Sequence, residues 1–254
     1  MDNLDSVIQA ANAGNVNAML TLSQHYNEQK DISRATEWAD KAAEAGSVAG
    51  YMISMSCHRF SITVAKELGF WQLLEEEAHT TMNRADTLLR AHSEGSIALS
   101  NDQICQCEDC RNEALYALGL RIYAEDENNQ RWREIIDLIS TVHSTKAFAL
   151  HGCCSVHLDN YDKAFQMMQR VVKDRDYAAQ QKEVTEEAIY CDLLRYMAAF
   201  YRIGVPGVVN QDLDTAVSIL TFGLSSMYTK DFKKYFEEEL RHYQKKLFGG
   251  YKYV

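Results

Sequence analysis

QAANAGNVNAM (residues 9–19) and KAAEAGSVAGY (residues 41–51) follow one pattern and stand head to tail near the start of the chain. Gly14 of the first copy corresponds to Gly46 of the second, an offset of 32 residues. A shared period of this size is typical of proteins in which helical hairpins repeat. The stretch therefore predicts an all-α fold built from stacked helix pairs, more than about 60% helical against the third that is usual.

The repeated unit has the amphipathic pattern of a helical hairpin. A first helix is predicted over residues 16–29, and its apolar face comprises Met19, Leu22 and Tyr26. Asp31 stands at an N-cap position and Gly46 at a C-terminal position, so a second helix is predicted between them. The apolar face of that helix comprises Ala35, Trp38, Ala42 and Ala45. A single hairpin cannot bury these faces alone, and it must stack on a neighbour.

These residues resemble the Sel-one-like repeat, a relative of the tetratricopeptide repeat. The motif reads Ala18-x-x-x-Leu22-Ser23-x-x-Tyr26, then Asp31-x-x-x-Ala35-x-x-Trp38-x-x-x-Ala42-Ala43-x-x-Gly46. Parts of it return as Ala114-x-x-x-Leu118-Gly119-x-x-Ile122, and as Tyr201-x-x-Gly204-x-x-Gly207-Val208 followed by Asp212-x-x-x-Ala216-x-x-Ile219. The sequence departs from the family at Ser23, where glycine is usual, at a shortened loop over residues 27–30, and at Ile219, where tryptophan is usual.

The resemblance implies a right-handed α-solenoid of about five antiparallel helical hairpins, forming one domain over residues 1–254. Within it we expect Trp38 to be buried between the first two hairpins, surrounded by Ala18, Tyr26 and Ala42. A C-terminal capping helix is predicted over residues 231–248, where apolar residues recur at helical spacing. Residues 249–254 are predicted to form an extended tail.

Composition excludes several functional classes. The net charge of −10 argues against a nucleic-acid surface and against adsorption to anionic lipid. The apolar runs are too short to span a bilayer, and the first residues contain neither the basic nor the apolar region of a signal peptide. The seven cysteines are an odd number in a chain that needs no stapling, which fits reduced thiols in the cytoplasm. The sequence therefore predicts neither a nucleic-acid partner nor a membrane partner.

Two cysteine groups are candidates for chemistry. Cys105, Cys107 and Cys110 have metal-like spacing, and a zinc site would need a fourth ligand such as His92 or His58. The alternative is that these thiols are simply reduced or buried. Cys153 and His157 lie four residues apart, but a catalytic pair would also need an orienting third group and a pocket. Without a phosphate loop or another catalytic motif, the sequence predicts no enzyme and no cofactor.

The family resemblance implies a scaffold or adaptor that binds a protein or an extended peptide on its concave face, which the first helix of each hairpin lines. By the family's register, the residues predicted to face that side are Asn17, Gln24, Met52, Arg59, Tyr116, Leu120, Tyr123, Asp192, Arg195 and Arg202. They would suit a partly acidic peptide, or the protein's own C-terminal tail folded back onto the site. Alternatives are a peptide-sensing cytoplasmic regulator and a metal- or thiol-dependent protein that uses the Cys105–Cys110 cluster.

Overall fold

The computed structural model describes residues 2–125, 131–246 and 249–254. It is 77% helix, with 13 helices and almost no strand in the described residues, and adjacent helices are packed on one another. The prediction of an all-α protein is confirmed. The single domain predicted over residues 1–254 divides by its contacts into two compact units, unit 1 (Met1–Arg121) and unit 2 (Ile122–Val254). None of the helices in the described ranges is both long and apolar enough to cross a bilayer.

Unit 1 is built from five helices and most of a sixth. Their bounds are α1 (Asp2–Asn12), α2 (Val16–Glu28), α3 (Ile32–Glu44), α4 (Val48–Leu68), α5 (Trp71–Ser93) and α6 (Asn101–Glu125). The predicted N-cap is present, since Asp31 accepts a hydrogen bond from the backbone N–H of Arg34 at 3.1 Å. Gly69, with φ of +72°, ends α4 in the left-handed conformation that glycine adopts without strain. Local sequence therefore determines where these helices begin and end.

Each helix from α1 to α4 packs on the next one along the chain. Trp38 is buried, as predicted, in a core cluster that also contains Tyr26 and Ala42, with Ala18 partly buried against it. The cluster's residues come from α1, α2 and α3, so the expectation that Trp38 lies between the first two hairpins is corrected. Helix α1 supplies the third wall because its own apolar face needs a partner. Ser23 of α2 donates a hydrogen bond to the carbonyl oxygen of Ala35 at 2.8 Å.

Unit 2 contains the end of α6 and the remaining elements. They are α7 (Trp132–Ile139), α8 (Thr145–His157), α9 (Tyr161–Lys173), α10 (Arg175–Ala179), α11 (Val184–Ile203), α12 (Leu213–Ser226), α13 (Lys230–Leu240), β1 (Tyr243–Lys245) and β2 (Tyr251–Tyr253). Helix α8 packs on α7, α9 and α11, while α12 packs on α11 and α13. Phe236 of α13 sits against Gly223, where a Cβ atom would lie only 2.4 Å from the ring. The absence of a side chain at Gly223 thus seats the last helix.

The C-terminal prediction needs correction. The helix predicted over residues 231–248 begins at Lys230 and ends at Leu240, and residues 247 and 248 lie outside the described residues. Strand β1 follows and pairs antiparallel with β2, so the predicted tail over residues 249–254 contains a strand of a two-stranded sheet. Gly249 and Gly250 have φ of +89° and +72°, a conformation that suits a reversing chain. Hydrogen bonding between β1 and β2, which residues 246–250 connect, replaces the last turns of the predicted helix.

Candidate functional site

The predicted binding residues differ in their access to solvent. Asn17, Gln24, Arg59 and Arg195 are exposed, and Tyr123, Asp192 and Arg202 are half-buried. Met52, Tyr116 and Leu120 are buried, so their prediction as surface residues of a binding face is wrong. All seven residues from Ala114 to Leu120 are buried, which means that α6 has no free side in this stretch. The repeat register assigns one face of a helix to the core and the adjacent face to solvent. For a helix that is buried on all sides, it therefore predicts the wrong exposure.

In unit 2, the structure brings three of the predicted residues together with aromatic side chains that the sequence analysis did not select. We call this surface the α11 aromatic face, and it comprises Tyr123, Trp132, His157, Asp192, Arg195 and Tyr196. Asp192, Arg195 and Tyr196 share one side of α11, because residues three and four apart are neighbours on a helix. The other members come from the end of α6, the start of α7 and the end of α8. The face is therefore assembled from four helices.

The rings of the α11 aromatic face pack against one another. The Trp132 indole stacks on the His157 imidazole, with centroids 4.2 Å apart and 9° between the planes. Tyr123 and Tyr196 meet this stack edge-on, at 5.8 Å from Trp132 and 6.0 Å from His157 respectively. The Tyr196 hydroxyl lies 3.3 Å from Nε2 of His157. These contacts fill the space between the rings, so the face is a rigid surface rather than an open cage.

Asp192 is the charged centre of this face. Its carboxylate accepts a hydrogen bond from the Tyr123 hydroxyl at 3.4 Å and from the Arg195 guanidinium at 3.1 Å. Burial raises the pKa of Asp192, and the opposing effects of Arg195 and Tyr123 do not cancel it. Burial also lowers the pKa of His157 and raises that of Tyr196 to about 12. At neutral pH the surface thus presents neutral aromatic groups around one ion pair.

Residues near the C-terminus contact both arginines of α11. Arg202 lies 2.7 Å from the Glu239 carboxylate and donates to the Tyr253 hydroxyl at 2.7 Å, with its guanidinium 4.6 Å from the centre of the Tyr253 ring. Arg195 lies 4.8 Å from the centre of the Tyr235 ring. The tail thus contacts a predicted site residue, as in the folded-back alternative. Arg202 is already bound within unit 2, whereas the Arg195 side chain remains 44% exposed.

A cavity lies on the other side of α11. This α12 groove has a volume of about 650 Å³, and its lining residues are Val172, Arg175, Ala178, Ala179, Leu194, Met197, Ser218, Ile219, Phe222, Ser225, Ser226 and Tyr228. None of the predicted binding residues lines it. The sequence signal that could have indicated it is Ile219, which stands where the first copy of the motif has Trp38. A shorter side chain at that position leaves unfilled space beside α12.

Unit 1 has smaller cavities on either side of one exposed aromatic ring. Phe60, which is 57% exposed, lines both a cavity of about 520 Å³ and a cavity of about 350 Å³. Met52 lines the larger of the two, although only 9% of it is exposed. The neighbouring His58 is held between two carboxylates, with Nδ1 facing Glu77 and Nε2 3.2 Å from Asp40. This buried network joins α3, α4 and α5 and stabilises the unit.

The cysteine groups do not assemble into a reactive centre in the described part of the chain. Cys105 is exposed, whereas Cys107 and Cys110 are buried in a core cluster with Met52 and Leu88. No group of three or more His, Cys, Asp or Glu side chains in the described ranges is arranged to hold a metal ion. Burial raises the pKa of Cys107 to about 11, which disfavours the thiolate that a metal requires.

Cys153 and His157, the candidates weighed as a catalytic pair, do not contact each other in this way. The Cys153 thiol is buried and donates to the carbonyl oxygen of Ile189 at 3.5 Å. His157 instead contacts Trp132 and Tyr196. Burial raises the pKa of Cys153 well above that of an ordinary thiol, which is the opposite of activation. The four-residue spacing is satisfied by packing: the thiol points into the core while the imidazole lies at the surface.

Comparisons with protein-family models, with curated proteins and with solved structures find no match for this chain.

Proposed function

We propose that the protein is a non-enzymatic binding module that holds an extended peptide or a partner protein on the α11 aromatic face of unit 2. The observation that carries this proposal is the assembly of Tyr123, Asp192 and Arg195, residues distant in sequence, with Trp132 and Tyr196 at one partly exposed surface. Tryptophan, tyrosine and arginine are the side chains in which interface binding energy concentrates. Together they form the best anchor surface in unit 2.

The packing of the rings supports this use of the surface. Trp132 and His157 are stacked, and the hydroxyls of Tyr123 and Tyr196 are within hydrogen-bond distance of Asp192 and His157. Side chains that are already ordered lose little conformational freedom when a partner arrives. A preorganised aromatic surface therefore converts more of its contact energy into affinity than a mobile one does.

The charges favour a partly acidic peptide. Arg195 keeps a substantially exposed guanidinium, and a peptide carboxylate would compete with Asp192 for it. Because burial already raises the pKa of Asp192, a second negative charge would favour protonation of Asp192 further. Affinity for an acidic peptide should accordingly increase as the pH falls through the pKa of Asp192. Protonation of His157 in the same direction would add attraction.

The wider assignment belongs to the same proposal. It includes a right-handed α-solenoid of the Sel-one-like type with about five hairpins, a cytoplasmic location, no cofactor, and no nucleic-acid or membrane partner. The paired helices α2–α3, α4–α5, α8–α9 and α11–α12 each pack on one another, as repeated hairpins do. All seven cysteines are free thiols, which is compatible with a reducing compartment.

Crosslinking capture from the native extract, followed by mass spectrometry of the linked peptides, identifies a partner segment. The affinity of that segment is then measured by fluorescence anisotropy for the parent protein and for Arg195→Ala. We expect Arg195→Ala to weaken binding by about 1 kcal/mol or more. Arg241→Ala is the matched control, because Arg241 is also an exposed arginine of unit 2 and lies outside the face. Equal affinity for parent and Arg195→Ala, or crosslinks confined to unit 1, would refute the assignment.

A further inference from the structure

The α12 groove is a second surface of unit 2, separate from the α11 aromatic face. Leu194 and Met197 line it from α11, whereas Asp192, Arg195 and Tyr196 belong to the aromatic face of the same helix. The groove is accessible, since Phe222 is 42% exposed and Tyr228 is 52% exposed. At about 650 Å³, it lies within the size range of ligand-binding clefts. Exposed aromatic side chains beside an apolar cavity of this size indicate a missing partner.

The origin of the groove is visible in the repeat pattern. Trp38 and Ile219 occupy the same position of the motif, three residues after Ala35 and Ala216 respectively. Trp38 is 8% exposed and fills the core of unit 1, whereas the half-buried Ile219 lines the groove. The smaller side chain therefore leaves room beside α12 that the motif's usual residue would occupy.

The walls of the groove indicate which kind of ligand it takes. They are contributed by helices, whose backbone groups are already bonded internally, so an extended peptide would find no strand edge to pair with. An α-helix satisfies its own backbone and needs only side-chain packing. On α12, Ser218, Phe222 and Ser225 lie four and three residues apart and form a row about two turns long. Such a row is the surface into which another helix packs its ridges.

The charge of the groove is positive. Arg175, at the start of α10, is the charged residue of its lining and is exposed. Within the described ranges, no carboxylate forms an ion pair with it, although the protein has a net charge of −10. The hydroxyls of Ser225 and Ser226 donate to carbonyl oxygens of their own helix. Arg175 is thus the charged group of the lining with which an acidic side chain of a ligand can pair.

We propose that the α12 groove binds an amphipathic helix of a partner protein. The apolar face of that helix lies on Ile219, Phe222 and Met197, and an acidic side chain at its flank pairs with Arg175. A helix of this type buries the exposed rings and satisfies the cation at once. The site is independent of the α11 aromatic face, and one can be occupied without the other.

The test uses a displayed library of helices of about 18 residues, or five turns, with leucines at i, i+3, i+4 and i+7 and all other positions randomised. Selection on the parent protein is expected to enrich peptides with Asp or Glu beside the apolar row. Ile219→Trp, which fills the groove with the family's residue, should abolish their binding. Phe222→Ala should weaken it at least about fivefold, and selection on Arg175→Glu should enrich Lys or Arg instead.

Phe60→Ala is the matched control, because Phe60 is an exposed phenylalanine of unit 1, and it should leave affinity unchanged. Circular dichroism must show each variant folded, and the exposed positions Phe222 and Arg175 keep the test valid if Ile219→Trp fails to fold. The proposal is overturned if no helix is enriched, if acidic flanks are not favoured, or if Phe222→Ala binds as the parent does. Decanoate displacing a bound anilinonaphthalene sulfonate probe without helix enrichment would instead assign the groove to a small amphiphile.

Discussion

The hairpin α2–α3 of unit 1 and the hairpin α11–α12 of unit 2 contain the same second-helix pattern but use it differently. In α3, Asp31 caps the helix, Ala35 is fully buried, and Trp38 completes a core cluster shared with α1 and α2. In α12, Asp212 caps the helix and Ala216 is fully buried, but Ile219 lines an open groove. The cap and the small residue build the hairpin in both units. The residue at the position of Trp38 and Ile219 decides whether the hairpin closes a core or borders an open groove.

Each unit contains a partly buried aspartate, and the pKa values of the two aspartates are shifted in opposite directions. Burial would raise the pKa of Asp40, but hydrogen bonds from His58 and Ser54 and the charges of His58 and Arg84 outweigh it and lower the pKa. Asp192 is bonded to Arg195 and Tyr123, and burial still prevails and raises its pKa. The number and charge of the partners, rather than burial alone, therefore set the direction. In unit 1 the ionised Asp40 carboxylate stabilises the fold. In unit 2 the Asp192 carboxylate lies half-buried at a surface.

The largest expected effect tests the shared motif position. Trp38→Ala should lower the free energy of unfolding by about 3–5 kcal/mol, because it leaves a cavity in a closed core. Ile219→Ala should cost less than about 2 kcal/mol, because the side chain already borders open space. Urea denaturation followed by circular dichroism measures both. Similar losses in the two variants would contradict the difference between a core and a groove.

A comparable effect is expected at Tyr116, which the register placed on the binding surface. Tyr116 is 1% exposed, so Tyr116→Ala should destabilise the protein by about 3–5 kcal/mol. Tyr235 of unit 2 is 47% exposed, and Tyr235→Ala should change stability by less than about 1 kcal/mol. Thermal melts of the two variants provide the measurement. A Tyr116→Ala protein as stable as the parent would restore Tyr116 to the surface.

A smaller difference in stability is expected between variants of the two aspartates. Asp40→Asn should cost about 1–3 kcal/mol near neutral pH, because it weakens a charge-assisted network. A lowered carboxylate pKa stabilises the folded state above the unfolded pKa, so this cost should disappear as the pH falls through the pKa of Asp40. Asp192→Asn should change stability by no more than about 0.5 kcal/mol at neutral pH.

At Asp192 the pH dependence of folding stability has the opposite sign. A raised carboxylate pKa favours the folded state below the unfolded pKa, and that contribution is lost as the pH rises through the folded pKa. Denaturation curves of the parent and of both variants between pH 3 and pH 8 test the two signs. The same pH trend in the two variants would contradict the comparison.

The smallest expected effect is a difference in how fast the thiols react with an alkylating reagent. Cys105 in unit 1 is exposed, whereas Cys153, Cys154 and Cys191 in unit 2 are buried with raised pKa values. Iodoacetamide at neutral pH should therefore modify Cys105 first, as mapped by mass spectrometry. A chelator should change neither this order nor the melting temperature. Protection of Cys105 that chelation removes would instead indicate a bound metal at the Cys105–Cys110 cluster.

Much of the fold could be predicted, because its signals are local. The bounds of α2 and α3 agree with the predicted helices to within a few residues, and Asp31 takes its predicted role as N-cap. The helix predicted over residues 231–248 is too long for a different reason. Apolar residues continue at helical spacing past Leu240, but pairing of β1 with β2 replaces the helix there.

The candidate site was only partly predictable. Asp192 and Arg195 were selected by their place on a first helix, and the structure joins them to Tyr123 as one surface. Trp132 and His157 were missed, because their proximity depends on how α7 and α8 meet α11. Met52, Tyr116 and Leu120 were wrongly selected, since a repeat register cannot state how many neighbours surround a helix.

The sequence by itself determined that the chain is helical and where many of its helices begin and end. Spacing of apolar residues, side-chain caps at Asp31, Asn160 and Asp212, and glycines at helix ends act within a few residues of the chain. Only the tertiary structure decided which apolar residues become core and that a groove opens beside Ile219. It also decided why the pKa of Asp40 is lowered while the pKa of Asp192 is raised. These properties depend on the number, charge and size of neighbours that are distant in sequence, and packing alone brings such neighbours together.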